Sequence, residues 1–238
     1  MKLSIIIPCF QNETQLPDTV SRIVSSTGKL AGVESQIILI DDQSKDGTWK
    51  TIKRLAEKHP NVSGYQLERN IGAYNAILIG MEQVSGSHIL VMAADGDDPP
   101  ELIPEMTRLM TGNVDAVLAD RVQSEKRFAT KLASNLFWAV LKSVGAKNLT
   151  SGGSDFMLVR RELVEKCTRQ GWKSGNTLIQ LIQHARETRT VGYTKGRSKP
   201  TTWTFIKKAK LFLQTVNQFV RIPFVKSQAE RSSVSNTC

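Results

Sequence analysis

Only three cysteines, Cys9, Cys167 and Cys238, occur in 238 residues. They form no CxxC pair and no regular spacing. That argues against a disulfide framework or a thiolate zinc site and fits a reducing compartment. No stretch approaches the ~18–20 uncharged apolar residues of a membrane-spanning helix. The opening MKLSIIIPCF holds only a few apolar residues before Pro8, too few for a signal-peptide core, so no secretory leader is expected. No GxGxxG follows the first apolar run and no GxxxxGK[ST] occurs, which disfavours dinucleotide dehydrogenases and phosphate-loop nucleotidases. Helix-turn-helix, RNP and zinc-finger patterns are also missing. There is no internal repeat and no low-complexity block.

Charge is present, and it is unevenly placed. Residues 1–120 carry 10 Lys/Arg against 16 Asp/Glu, a net of −6, and residues 121–238 carry 22 against 6, a net of +16. Acidic groups in one half can hold a cation. Basic groups in the other can hold phosphates or rest on an anionic membrane. Nucleic acid is the other partner a basic half suggests, but the acidic first half opposes it, and no nucleic-acid partner is expected.

Strand and helix patterns alternate through the first 120 residues. Continuous β-branched runs at Leu3–Phe10, Ser35–Asp42, Val62–Leu67, His88–Asp95 and Asp115–Arg121 read as strands. Helical spacing covers Leu16–Val24, Trp49–Lys58 and Ile71–Val84, and Pro99-Pro100 start a helix running to about Met110. This order predicts an α/β fold with a mostly parallel central sheet and helices on both faces. The second half is less regular. A basic helix is expected over Arg127–Val144, an apolar segment over Asp155–Val159 and a helix after Arg161. A stripe from Phe205 to Phe219, flanked by lysines, suits a helix packed on the domain or resting on headgroups. The polar tail 226–238 is expected to be disordered.

Ligands of such sheets sit at the carboxyl ends of the strands. Asp41, Asp42 and Asp95 all fall at such ends, which points to one cleft. Beyond the fourth strand, Asp95 and Asp97 stand two residues apart and can share one cation. A hard cation with oxygen ligands, Mg2+ or Mn2+, would neutralise a diphosphate and help it leave. The bland alternative for this segment is a solvated acidic turn before a helix. Asp46 and Thr48 read as turn and cap residues.

Three segments, Pro8–Glu13, Asp41–Thr48 and Ala93–Glu101, each follow an expected strand. With Arg69–Ile77, Gly152–Glu162 and Gly196–Lys210, they resemble family-2 glycosyltransferases of the GT-A fold. The chain is similar, more narrowly, to the polyprenyl-phosphate sugar transferases, the group that includes dolichyl-phosphate mannose synthase and its bacterial relatives. The resemblance implies one GT-A domain over 1–225, with a nucleotide-sugar half (1–120) and an acceptor half (121–225). It implies an inverting transfer from a UDP-, GDP- or dTDP-sugar to a lipid-linked or polyprenyl-phosphate acceptor. The setting would be envelope polysaccharide or glycolipid assembly, with the enzyme peripheral to the cytoplasmic face of the membrane.

Donor-side residues implied by the resemblance are Pro8, Phe10, Glu13, Asp41, Asp42, Arg69 and Asp95, with Arg197 and Lys199 in a late loop over the diphosphate. Asp155 and Asp97 are the catalytic candidates. Asp155 is either a general base, a contact to a sugar hydroxyl, or the cap of a local turn. Arg121, Arg127, Lys131 and Ser134 are the acceptor-phosphate candidates, or else a solvated basic face. Two departures from the family pattern stand out. Ala93 occupies the position of the motif's first Asp, while Asp97 replaces its usual Gln. The opening motif reads Phe-Gln-Asn-Glu where many relatives have Tyr-Asn-Glu. The loss at Ala93 motivates an alternative: an inactive relative that binds nucleotide sugar or phospholipid.

Overall fold

The structure is a computed structural model and describes residues 1–122, 155–172, 176–194 and 235–236. Its strands are β1 (Lys2–Cys9), β2 (Glu34–Asp41), β3 (Val62–Gln66), β4 (His88–Val91), β5 (Val114–Val122), β6 (Met157–Arg160), β7 (Glu187–Thr194) and β8 (Ser235–Asn236). Its α-helices are α1 (Leu16–Gly28), α2 (Thr48–Lys58), α3 (Ala73–Glu82), α4 (Ile103–Leu109), α5 (Arg161–Gln170) and α6 (Thr177–His184). A 3-10 turn at Pro100–Leu102 leads into α4.

The strands form one sheet in the order β7-β5-β6-β4-β1-β2-β3-β8. β1 pairs in parallel with β2 and β4, β2 with β3, and β5 with β7. β6 runs antiparallel between β4 and β5, and the two-residue β8 is antiparallel to β3. The mostly parallel α/β sheet expected from the sequence is present.

The central strands are apolar on both faces because both faces are covered. Side chains alternate across a strand, so the run in β1 splits. Leu3, Ile5, Ile7 and Cys9 join one core with α1, α2 and α4, through Leu16, Val20, Ile23, Ile52, Ile103 and Met106. Ile6 joins the other with α3, α5 and α6, through Ala76, Ile77, Leu163, Val164, Leu178 and Leu181. Gly80 lets α3 lie close on β1; a Cβ there would stand 2.5 Å from Ile6 Cγ2. Cys9 and Cys167 are free and buried.

Three features differ from the sequence expectation. β4 stops at Val91, four residues before Asp95, because the chain turns once Met92 N–H has bonded Ile6 O. α6 and β7 were not foreseen. The helix expected over Arg127–Val144, the stripe from Phe205 to Phe219 and most of the tail lie outside the described residues.

Asp115, buried at a β5 bulge, joins β5 to the start of β7. Its carboxylate accepts from Arg186 N at 2.8 Å, Nε at 2.9 Å and Nη2 at 2.7 Å. The Arg186 hydrogen bond holds the Asp115 carboxyl below its usual value of 3.8. A depressed carboxyl contributes stability that is present above its unfolded value and lost as pH falls through the folded one. Urea midpoints compared between about pH 5 and pH 2 should therefore fall further for wild type than for Asp115→Asn. Equal falls would show that the pair contributes nothing to acid sensitivity.

Candidate functional site

β1 lies between β2 and β4, and the chain winds outward through β2 and β3 before returning across to β4. That reversal opens a crevice at the carboxyl ends of β1 and β4, where ligands of open α/β sheets bind. The loops after β1, β2 and β4 meet there. They are the three segments singled out in the sequence.

The first two loops are fastened to each other. Gln11 N–H donates to Ser44 Oγ at 3.0 Å, and Asn12 N–H to Thr48 Oγ1 at 2.8 Å. Gly47 N–H donates to Glu13 Oε2 at 3.0 Å. Glu13 is therefore exposed and employed in holding the second loop. Asp46 accepts from Thr48 N–H and hydroxyl, at 3.1 and 2.6 Å, as expected of a turn residue. Gln11 and Gln43 both take φ of 57°, a left-handed backbone rare outside glycine and costing on the order of 1–2 kcal/mol each. Two such residues at adjacent strand ends mark loops shaped for something other than stability. Pro8 is half-buried, and Phe10 at the rim is 46% exposed.

Asp41 and Asp42 are buried and bonded within the chain. Asp41 Oδ1 accepts from Ser44 N–H at 3.1 Å and Oδ2 from Gln66 Nε2 at 2.9 Å. Asp42 accepts from Ile71 N–H at 2.7 Å and Gly72 N–H at 2.8 Å. These donors precede α3, where Gly72 has φ of 87°, so a carboxylate caps the turn that the glycine makes possible. Burial raises the Asp42 carboxyl; the two backbone donors oppose that rise. Both acids shape the crevice floor. Asn70 Nδ2 donates to Asp42 O at 2.9 Å, which brings exposed Arg69 to the same edge.

The acidic loop divides its carboxylates. Asp98 is buried: its Oδ2 accepts from Ala93 N–H at 2.8 Å and its Oδ1 from Tyr193 hydroxyl on β7 at 3.2 Å. Asp95 is exposed and Asp97 half-buried, with Asp97 N–H donating to Asp95 Oδ1 at 3.0 Å across Gly96, whose φ is 78°. Thr19 hydroxyl on α1 donates to Ala94 O at 3.2 Å, and Arg22 grips Glu101 through two bonds of 2.9 and 2.8 Å. The loop is thus pinned on either side of Asp95 and Asp97. Among the described residues no group of three or more His, Cys, Asp or Glu side chains gathers into a metal cage. Two carboxylates on an exposed turn still fit a Mg2+ or Mn2+ ion, which commonly takes one or two carboxylates with substrate phosphates and water completing the shell.

Asp155 enters the same edge from the start of β6 and is exposed. Tyr74 hydroxyl on α3 donates to Asp155 Oδ1 at 3.4 Å and accepts from Asn176 Nδ2 at 2.8 Å. Burial, with the Asp155 carboxylate next, pushes the Tyr74 phenol up, so it stays protonated. Neither Tyr74, Asn176 nor Tyr193 was singled out in the sequence. Asn176 had a legible signal, an Asn directly before the apolar run of α6. Backbone positions place Arg121 near the end of β5. Arg127, Lys131, Ser134, Arg197 and Lys199 lie outside the described residues. A shallow hollow of about 440 Å³ beside Lys50, Lys53 and Arg54 lies on the solvent face of α2. Glu13 is the lining residue it shares with the loops of the strand-end crevice.

Sheet order, strand-end crevice and acidic loop define a GT-A type α/β protein. Residues 4–168 match the family model for glycosyl transferase family 2, and the chain belongs to that family. It is 30% identical over 191 residues to an undecaprenyl-phosphate 4-deoxy-4-formamido-L-arabinose transferase of Photorhabdus laumondii, covering 80% of this chain and 58% of that one. It is 28% identical over 208 residues to a bactoprenol glucosyl transferase of Shigella phage SfV, covering 82% and 66%. The chain thus spans about three fifths to two thirds of the length of these relatives. The fold matches that of the mannosyltransferase PcManGT from Pyrobaculum calidifontis, solved with GDP-Man and Mn2+, at a TM-score of 0.66 and 17% identity, covering 94% of this chain and 65% of that one.

Proposed function

We propose that this chain transfers a sugar from a nucleotide-sugar donor to a polyprenyl-phosphate acceptor, with a divalent cation bound beside the diphosphate. The observation that carries this function is the pairing of Asp95 and Asp97 on a loop held firmly on both sides. That pair stands at the crevice of a family-2 glycosyltransferase fold. The relatives named as undecaprenyl-phosphate and bactoprenol transferases support the acceptor class.

Each residue then has a physical task. Phe10 offers an exposed ring at the crevice rim for a nucleotide base. Asp41, Asp42 and Glu13 hold the loops around it. Asp95 and Asp97 would hold Mg2+ or Mn2+, which when bound screens the charge that grows on the departing diphosphate. Arg69, Arg197 and Lys199 are assigned to the diphosphate, and Arg121, Arg127, Lys131 and Ser134 to the acceptor phosphate. That phosphate is already an anion at neutral pH, so its attack on the anomeric carbon, opposite the leaving group, requires no general base. Asp155 is accordingly assigned to a donor-sugar hydroxyl. Residues 1–120 form the donor half in this scheme and 121–225 the acceptor half. Among the described residues no helix is long and apolar enough to cross a membrane. The basic second half is assigned to peripheral contact with an anionic cytoplasmic membrane face.

The test is transfer of labelled sugar from a panel of UDP-, GDP- and dTDP-sugars into vesicles containing undecaprenyl phosphate. The expected product is an organic-soluble lipid-linked sugar that forms only with the phosphorylated lipid and a divalent ion. Transfer to free polyprenol or to a glycan hydroxyl would contradict the acceptor assignment. Donor binding without turnover on any acceptor would favour the inactive relative suggested by Ala93.

A further inference from the structure

We propose that Tyr74 and Asn176 form a directional hydrogen-bond relay that orients the Asp155 carboxylate toward the sugar. Its use in transfer rests on the function proposed above. The direction follows from one amide. Asn176 Oδ1 accepts from Leu178 N–H at 2.9 Å and Ile179 N–H at 3.3 Å, capping α6. Both are backbone donors, so the oxygen must face the helix and the amide nitrogen must face Tyr74. Nδ2 can only donate, and it gives its hydrogen to the Tyr74 hydroxyl oxygen at 2.8 Å. A phenol has one hydrogen. With its oxygen accepting from Asn176, that hydrogen turns to Asp155 Oδ1, 3.4 Å away. The helix cap therefore sets the polarity of a bond two residues distant.

The placement gives the relay a purpose. Asn176 and Tyr74 sit on the apolar face of the sheet served by α3 and α6, where Ile77 and Leu178 share one core. Asp155 is exposed, and the next residue, Phe156, is buried at 2% exposure against Tyr193. Its backbone is thus fixed by Phe156, while its carboxylate extends toward solvent. The donor from Tyr74 to Oδ1 fixes the side from which that carboxylate is held and so its plane. Tyr74 and Asn176 are positioning residues; Asp155 is the group assigned to substrate.

Two substitutions separate this role from simple packing. Tyr74→Phe keeps the ring and removes the hydrogen. Asn176→Asp keeps the cap, since Asp caps as well as Asn, but replaces the amide donor with an acceptor. The Tyr74 hydrogen then turns to the new carboxylate and away from Asp155. Both variants should lower kcat roughly tenfold through misorientation of the bound sugar, with nucleoside diphosphate affinity unchanged. Asn176→Asp should melt within about 2 °C of wild type, because the cap is retained. A cap acting only structurally leaves Asn176→Asp with wild-type kcat, and that result overturns the relay. Should wild type transfer no sugar at all, the function proposed above fails, and the relay is tested by carboxyl-carbon NMR of Asp155. Tyr74→Phe, which adds no charge, should then raise the Asp155 titration midpoint, because a donor to the charged form is lost. An unmoved midpoint overturns the relay.

Discussion

Asp95→Ala is expected to lower turnover by about a hundredfold or more, with the melting temperature almost unchanged. The first half follows from chemistry. Asp95 is one of two carboxylates on the pinned turn, and removing it leaves Asp97 as the single carboxylate of the proposed cation site. Charge that develops on the diphosphate then meets less compensation. The second half follows from exposure. The Asp95 side chain is exposed and, among the described residues, accepts its bond from Asp97 N–H within its own turn, so its loss exposes no buried donor there. Steady-state transfer assays and a melting curve on the same preparation check both halves. A variant that retains most of its turnover would remove Asp95 from the site.

Asp98→Ala, three residues along, should behave in the opposite way: about 3 kcal/mol of lost stability, or roughly 6–12 °C in melting temperature for a domain of this size. Asp98 is 3% exposed and takes both Ala93 N–H and Tyr193 hydroxyl. Alanine removes the acceptor from both donors in a buried place, and a buried donor left unsatisfied costs about 1–3 kcal/mol. Tyr193→Phe removes the hydroxyl's bond to Asp98 and keeps the carboxylate on Ala93 N–H, so it should cost less, about 1 kcal/mol. Turnover of Asp98→Ala should fall as well, because the turn that carries Asp95 and Asp97 loses its anchor. Equilibrium urea unfolding separates the effects. A melting temperature within 2 °C of wild type would show that Asp98 is not the anchor described here.

That division within one acidic segment was not legible in the sequence, although the segment itself was. Strand ends and carboxylates can be read from a single stretch of chain. What a carboxylate bonds to cannot: Asp98 meets Tyr193 and Asp42 meets Ile71 and Gly72, partners that are distant along the chain. β1 and β2 were readable because burial on both faces writes an unbroken apolar run. β4 was overextended for the same reason. Met92 and Ala94 stay buried and apolar after the strand has ended, because Asp98 draws Ala93 N–H out of the ladder. α6 and β7 were missed on different grounds. α6 has only eight residues, and β7 is a polar edge strand whose signal is a weak alternation. Nor does hydrophobic spacing encode strand order, so the antiparallel β6 between β4 and β5 had no local signature.

The central claim is that Asp95 and Asp97 bind a divalent cation together with a nucleotide sugar. The most direct measurement is thermal shift with a panel of nucleotide sugars, with and without Mn2+ or Mg2+, on wild type, Asp95→Ala and Asp97→Ala. A ligand at a hundred times its dissociation constant adds about 2.7 kcal/mol, on the order of 5–10 °C here. The expected result is a shift of that size for one nucleotide class, dependent on the metal and lost in both variants. A shift that persists without metal or survives in both variants would contradict the claim, as would no shift with any donor.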